Sequence, residues 1–133
     1  MRIPPQIPGL KALTILLALY AVVWISWEGS LGRDIVMGVG TTAVFFLHIL
    51  QKKFSTRTLS LKQWLLLTAF FGLLAGLISG PLTLTAMIFK TGLHAHGPEF
   101  TLAEFQWVMQ QIPLWTAVGL LIGLGLGMLT ANK

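Results

Sequence analysis

The sequence predicts an all-α integral membrane protein with four transmembrane helices in a single domain, residues 1–133. Three observations predict this fold class. Apolar residues make up 55% of the chain and charged residues only 10%, which lies outside the range of ordinary soluble domains. The apolar residues form long blocks, each close to the roughly 20 residues that cross a bilayer. The charged residues collect between these blocks, as expected of a chain that alternates between hydrocarbon and water.

The first predicted helix covers about residues 10–27. The segment before it, residues 1–9, contains Pro4, Pro5 and Pro8. Proline lacks a backbone donor and fixes φ, so we expect this segment to be extended and the helix to begin only after it.

The second predicted helix covers about residues 35–54. Asp34 stands directly before it, where an acidic side chain commonly caps a first turn. Lys52 and Lys53 fall in the last turn, and their long side chains can place their ammonium groups at the membrane surface. His48, also near this end, is predicted to bond to backbone or to a lipid headgroup.

The third predicted helix covers about residues 61–89. Ser60 and Gln63 form a capping box before it, because each side chain can bond the backbone N–H of the other residue. Gly80 and Pro81 lie in its second half, where proline removes one bond of the helical ladder. We therefore predict a kink at Pro81.

The connection after the third helix predicts a short interfacial helix at about residues 102–111. Thr101 and Glu104 make a second capping box, and apolar residues then recur at helical spacing. Pro113 is favourable at the first position of a helix, so we expect a separate fourth transmembrane helix at about residues 113–130.

The distribution of basic residues predicts the orientation. Four alternating spans place seven of the nine lysines and arginines on the side of both termini, against Arg33 and Lys90 on the other side. Positive residues favour the cytoplasmic side, so both termini are predicted to be cytoplasmic, in a plasma or inner membrane or its equivalent. The seven residues are Arg2, Lys11, Lys52, Lys53, Arg57, Lys62 and Lys133.

Two of the predicted helices carry glycines at every fourth position, which places them on one face of each helix. Such small-residue faces allow helix backbones to approach closely in a membrane, where lipid is as apolar as leucine. We predict that the two faces pack against each other, with contact to another chain as the alternative. The residues are Gly72, Gly76 and Gly80 in the third helix and Gly119, Gly123 and Gly127 in the fourth.

The loop after the third helix contains the one local cluster with specific chemistry. His94 and His96 project to the same side of an extended backbone, and Glu99 follows closely. Imidazole and carboxylate groups bind zinc or copper, so these three residues are a candidate metal site. The alternative is a hydrogen-bonded turn that ends at Gly97 and Pro98.

Several function classes are excluded by composition. Without cysteine, the chain can form no disulfide, thiolate nucleophile or iron–sulfur site. Its basic residues flank apolar blocks and form no stripe with stacking aromatics, so we expect no nucleic-acid partner. The predicted spans contain no carboxylate and no arginine, and their lysines lie only near the span ends, which argues against ion-coupled transport.

The sequence therefore favours a non-enzymatic subunit or assembly factor of a membrane complex. Its expected partners are the lipid bilayer and either other membrane subunits or further copies of the chain. The first alternative is a small transporter or permease subunit with a path near Gly80 and Pro81. The second is a protein that binds a metal through His94 and His96, or an enzyme that uses it.

Overall fold

A computed structural model of the protein describes residues 5–93 and 97–131. These contain four α-helices, α1 (Leu10–Ser26), α2 (Leu31–Phe54), α3 (Leu61–Leu93) and α4 (Leu102–Ala131). Three of them, α2, α3 and α4, are long and apolar enough to cross a membrane. The remaining helix, α1, is equally apolar in character but has only 17 residues.

The four helices form an open layer in chain order. The substantial interfaces join α1 to α2, α2 to α3 and α3 to α4, and the last of these is the most extensive. Consecutive helices run antiparallel because short connections join them. One end of the layer, here called the acidic end, therefore contains all four acidic residues. They are Glu28, Asp34, Glu99 and Glu104. The opposite end is called the basic end.

The interface between α2 and α3 depends on small and hydroxyl side chains. A Cβ atom added to Gly38 would lie 2.7 Å from the backbone nitrogen of Thr83, so only glycine permits this approach. Thr42, one turn further along α2, is 1% exposed and donates its hydroxyl to the carbonyl of Gly38. This back-bonding satisfies the hydroxyl within the helix and leaves a compact surface for α3.

The separate interfacial helix predicted at residues 102–111 is wrong, because these residues are the first third of α4. The helix continues through Pro113 to Ala131. Proline at this position removes one backbone donor, but contacts with α3 on both sides of it hold the helix in place. Ile112 packs on Gly80, and the backbone of Trp115 packs on Gly76.

The predicted bounds of α2 and α3 also need correction. Helix α2 begins at Leu31 with Ser30 as its N-cap, so Asp34 is not the cap but a residue of the first turn. Its side chain is instead buried in the protein interior. Helix α3 continues past Pro81 and ends at Leu93, four residues beyond the predicted end.

Both predicted capping boxes are confirmed. The backbone N–H of Gln63 donates to the Ser60 hydroxyl. The backbone N–H of Ser60 donates to the side-chain Oε1 atom of Gln63 at 3.0 Å. Thr101 and Glu104 make the same reciprocal pair at the start of α4. These local signals fix where α3 and α4 begin.

Candidate functional site

Three buried polar side chains meet at the acidic end of the layer. Trp24 lies in the last turn of α1, Asp34 in the first turn of α2 and Lys90 in the last turn of α3. Asp34 and Lys90 are both 0% exposed, and Trp24 is 4% exposed. A buried ionised group is costly unless it is paired and hydrogen-bonded, so this cluster is the main candidate functional site.

Trp24 connects the two charged residues. Its indole Nε1–H donates to the Oδ1 atom of Asp34, and its ring centroid lies 5.2 Å from the Nζ atom of Lys90. The ring also stacks on Phe89, with centroids 6.3 Å apart and planes 13° apart. A single indole thus supplies a hydrogen-bond donor to the anion and a π face to the cation.

The ammonium group of Lys90 is held by the end of another helix. Its Nζ atom donates to the carbonyl oxygens of Ile25, at 3.2 Å, and of Trp27. The last carbonyls of a helix have no partner within it, and the helix dipole makes this end favourable for a cation. Lys90 therefore caps the C-terminus of α1 from α3.

The carboxylate of Asp34 is only partly satisfied. Its Oδ2 atom is buried and accepts no hydrogen bond from the described part of the chain. Its charged neighbours are Lys90 and Arg33, which are positive, and Glu99, which is negative. If all four groups are ionised, their charges sum to zero, which favours burial of the cluster as a unit.

The turn between α1 and α2 is braced by Arg33. Its guanidinium donates to the Glu28 carbonyl at 2.7 Å and lies 5.2 Å from the centroid of the Trp27 ring. Its own carbonyl accepts from the Tyr20 hydroxyl at 2.9 Å. These contacts hold the first turn of α2 against the last two turns of α1, and thereby position Asp34 beside Trp24.

Glu99, one of the three predicted metal ligands, packs against this same turn. A Cβ atom added to Gly29 would overlap the Glu99 carboxylate and would lie 2.8 Å from the Phe100 ring. A cleft of about 250 Å³ lies between this turn and the loop before α4, lined by Glu28, Gly29, Pro98 and Glu99.

The proposed metal site stays a prediction. His94 and His96 lie outside the described residues. Among residues 5–93 and 97–131, no three histidine, aspartate or glutamate side chains are grouped closely enough to hold a metal ion.

The glycine faces of α3 and α4 lie against each other. A Cβ atom added to Gly72 would overlap the Gly119 carbonyl and would lie 2.8 Å from the Cα of Gly123. One added to Gly76 would overlap the carbonyl of Trp115. The outer members of each face meet side chains instead, Gly80 meeting Ile112 and Gly127 meeting Thr68. The two helices are therefore at backbone contact over about two turns.

The region around Pro81 is closely packed. The hydroxyls of Ser79 and Thr83, which are 5% and 0% exposed, donate to carbonyls of their own helix at 2.7 and 2.8 Å. Gly80 is covered by the Ile112 side chain. The hydroxyls near the predicted kink are thus bonded within α3.

Two apolar grooves lie on opposite sides of α2. The first, called the α1–α3 groove, has a volume of about 350 Å³ and its floor is Gly38 and Thr41. The second, called the α2–α4 groove, has a volume of about 310 Å³ and is lined by Val39 and Ala43 together with the small residues of α3. Trp24 lines the first groove, which places the charged cluster at its end.

Sequence reasoning missed the buried cluster, because Asp34 and Lys90 lie just outside the spans that it predicted. A signal was present in the spacing. Asp34 shares one helical face with Gly38 and Thr42, and Lys90 shares one with Thr83 and Met87. When a helix face of small and polar residues is buried and a charged residue lies at the end of the same face, that residue is predicted to be buried as well.

Comparisons with family models, with curated proteins and with solved structures gave no match to this chain.

Proposed function

We propose that this protein is a non-enzymatic subunit or assembly factor of a membrane complex. The observation that carries the proposal is the open layer. Helices α2 and α3 each lie between two neighbours, yet both sides of the layer remain uncovered and each has an apolar groove. A subunit that receives helices of other membrane proteins needs such faces.

The unequal strength of the helix interfaces supports the same proposal. The close glycine contact between α3 and α4 is extensive, whereas α1 is held mainly at the acidic end, by polar contacts of Trp24, Tyr20 and Lys90. Where α1 passes α2, the Leu17 side chain packs over Gly40. A tightly packed pair, α3 and α4, beside a helix α1 with fewer contacts suits a protein in which α1 adjusts its position when a partner binds.

The proposal includes insertion of all four helices, with both termini in the cytoplasm. Helix α1 would rise roughly 25 Å at 1.5 Å per residue, slightly less than the hydrocarbon thickness of about 30 Å. Its 17 residues are at the short end of the range for a span. The basic end would face the cytoplasm and the acidic end the opposite compartment.

Cysteine cross-linking in native membranes tests this proposal, since the chain has no cysteine of its own. Val39→Cys probes the α2–α4 groove and Thr85→Cys the α1–α3 groove. Leu121→Cys is the matched control, because Leu121 is 66% exposed and lines neither groove. We expect a groove position to give one discrete product and the control to give none.

The outcome that would reject the proposal is equally specific. If neither groove position gives a discrete product, and the particle purified in mild detergent has the mass of one chain, the protein is not a subunit of a complex.

A second candidate function, a small permease subunit, is favoured by the buried Asp34 and Lys90. Ionisable residues within membrane helices commonly mark pathways for protons or solutes. Because the region around Gly80 and Pro81 is closely packed, the path would be a relay of protons from Asp34 along the hydroxyls of Thr83 and Ser79 and not an open channel. Proton flux into proteoliposomes of the pure protein tests it. Flux that is equal for wild type, Asp34→Asn and empty liposomes would rule it out.

A further inference from the structure

The basic end of the layer contains a cavity that neither function above uses. It has a volume of about 390 Å³ and lies between the segment before α1 and the last turns of α2. Polar and apolar side chains both line it. The lining residues are Gln6, Ile7, Pro8, Gly9, Leu10, Lys11, His48 and Gln51.

The cavity owes its shape to a contact between distant parts of the chain. The backbone N–H of Ile7 donates to the Oε1 atom of Gln51 at 2.8 Å, which fastens the proline-containing segment over the end of α2. Because this oxygen accepts a backbone proton, the side-chain orientation is set, and the Nε2 group of Gln51 remains as a donor of two protons.

The side chains of the lining supply donors and positive charge. Lys11 contributes an ammonium group with three donors. The Nδ1 atom of His48 lies 2.9 Å from the Val44 carbonyl, so Nδ1 carries a proton that it donates to this oxygen. The Nε2 atom of His48 is therefore the one left for a ligand.

The charged side chains that the structure describes around the cavity are all basic. All four acidic residues belong to the acidic end, at the far side of the layer. Around the cavity, Lys52 and Lys53 add to Lys11, and Arg57 and Lys62 lie at the same end. A cavity of donors in a basic field, without a carboxylate, is suited to an anion and unsuited to a cation.

The position of the cavity indicates which class of anion it can bind. It lies where the apolar part of α1 begins and that of α2 ends, which in the proposed insertion is the depth of the lipid headgroups. Phospholipids carry a phosphate at this depth, and anionic ones are abundant in the cytoplasmic leaflet. Lysine together with an amide donor is a suitable set for phosphate oxygens.

We infer that this cavity is a binding site for a phosphate group, supplied by the headgroup of an anionic membrane lipid. Lys11 provides the charge-assisted hydrogen bond, the Gln51 amide provides a neutral one, and His48 forms part of the wall of the cavity. The inference rests on the membrane insertion proposed above and is independent of any protein partner.

The test is a lipid titration of the full chain in dodecyl maltoside micelles. Thermal unfolding is followed while phosphatidylglycerol, phosphatidylcholine or inorganic phosphate is added, and apparent affinities are derived from the shifts. We expect stabilisation by phosphatidylglycerol and little by phosphatidylcholine. An equal effect of inorganic phosphate would reject the lipid as the source, because the site would then bind free phosphate.

Two variants locate the effect. Lys11→Ala removes one charge-assisted bond and should weaken the apparent affinity for phosphatidylglycerol by about tenfold. Gln51→Glu keeps the acceptor for the Ile7 amide but places a negative charge in the cavity, so it should weaken binding at least as much while the protein stays folded. Thermal unfolding in dodecyl maltoside micelles that contain phosphatidylcholine verifies the fold of each variant.

Lys62→Ala is the matched control, since Lys62 is exposed at the same end but does not line the cavity. It loses the same charge as Lys11→Ala and should bind as wild type does. The inference is overturned if Gln51→Glu, folded, binds phosphatidylglycerol like wild type, or if Lys62→Ala weakens binding as much as Lys11→Ala. Failure here leaves the cross-linking result untouched, because that experiment probes the grooves.

Discussion

The ammonium group of Lys90 lies over the ring of Trp24, 5.2 Å from its centroid, while the indole N–H of the same tryptophan is bonded to Asp34. This relationship ties three helices together at the acidic end. It also gives α1 an anchor on α3, because Lys90 bonds the final carbonyls of α1.

Replacement of Lys90 by methionine should destabilise the protein strongly. Methionine fills a similar volume but removes one of the two positive neighbours of Asp34 and leaves the α1 carbonyls without a donor. Leaving a buried polar group without its partner costs about 1–3 kcal/mol, and we expect a loss at the upper end of this range in the free energy of unfolding. Unfolding of the purified protein in mixed SDS and dodecyl maltoside micelles measures it.

Asp34→Asn in the Lys90→Met background provides the internal check. If the two charges are coupled through Trp24, the double variant should be more stable than the sum of the single losses predicts, by about 0.5–3 kcal/mol. Strict additivity would show that the two side chains act independently. Lys62→Met, at an exposed position, should change the stability by no more than about 0.5 kcal/mol.

Gly76→Ala should weaken the packing of α3 on α4. The added methyl group would overlap the Trp115 carbonyl, which belongs to the backbone and cannot turn away. Overpacking of this kind costs about 1–3 kcal/mol in the free energy of unfolding. The same micelle unfolding assay measures this loss.

Gly125→Ala is the control for the glycine prediction, because a Cβ atom at this position of α4 would meet nothing within 4 Å. Alanine has the higher helix propensity, so this variant should be unchanged or stabilised by up to about 1 kcal/mol. An equal loss of stability in both variants would mean that glycine matters here for a reason other than close approach.

The proposed orientation predicts which loops an impermeant reagent reaches. Glu28→Cys, in the turn between α1 and α2, should react with a charged maleimide added to intact cells. Thr58→Cys, between α2 and α3, should react only after the membrane is opened. Both residues are exposed and neither substitution removes a basic residue. The reverse labelling pattern would place the basic end outside.

The predicted metal site can be tested by metal analysis. If His94, His96 and Glu99 hold zinc or copper, the purified wild type should retain roughly one ion per chain, whereas His94→Ala/His96→Ala should retain almost none. Equal metal content in the two proteins would reject the site. Glu99→Gln separates the contribution of the carboxylate, which packs on Gly29.

Pro113 illustrates why one element was mispredicted. In isolation, Pro113 favours a new helix start, which predicts that the residues before it form a separate element. The contacts of Ile112 with Gly80 and of Trp115 with Gly76 hold a continuous helix instead. Packing against α3 thus overrides a local preference, and no local pattern contains that information.

The features that can be predicted from the sequence are those that depend on local chemistry. The apolar blocks of helical length predict the helical class. The capping pairs at Ser60 and Thr101 predict two helix starts, and the glycines at every fourth position predict the glycine faces, because each of these signals acts within a few residues. Two features depend on the tertiary structure alone: the burial of Asp34 and Lys90 around Trp24, and the cavity closed by Ile7 and Gln51. Both depend on side chains that are distant in sequence, and a charge is tolerated in the interior only where the fold brings its partners to it.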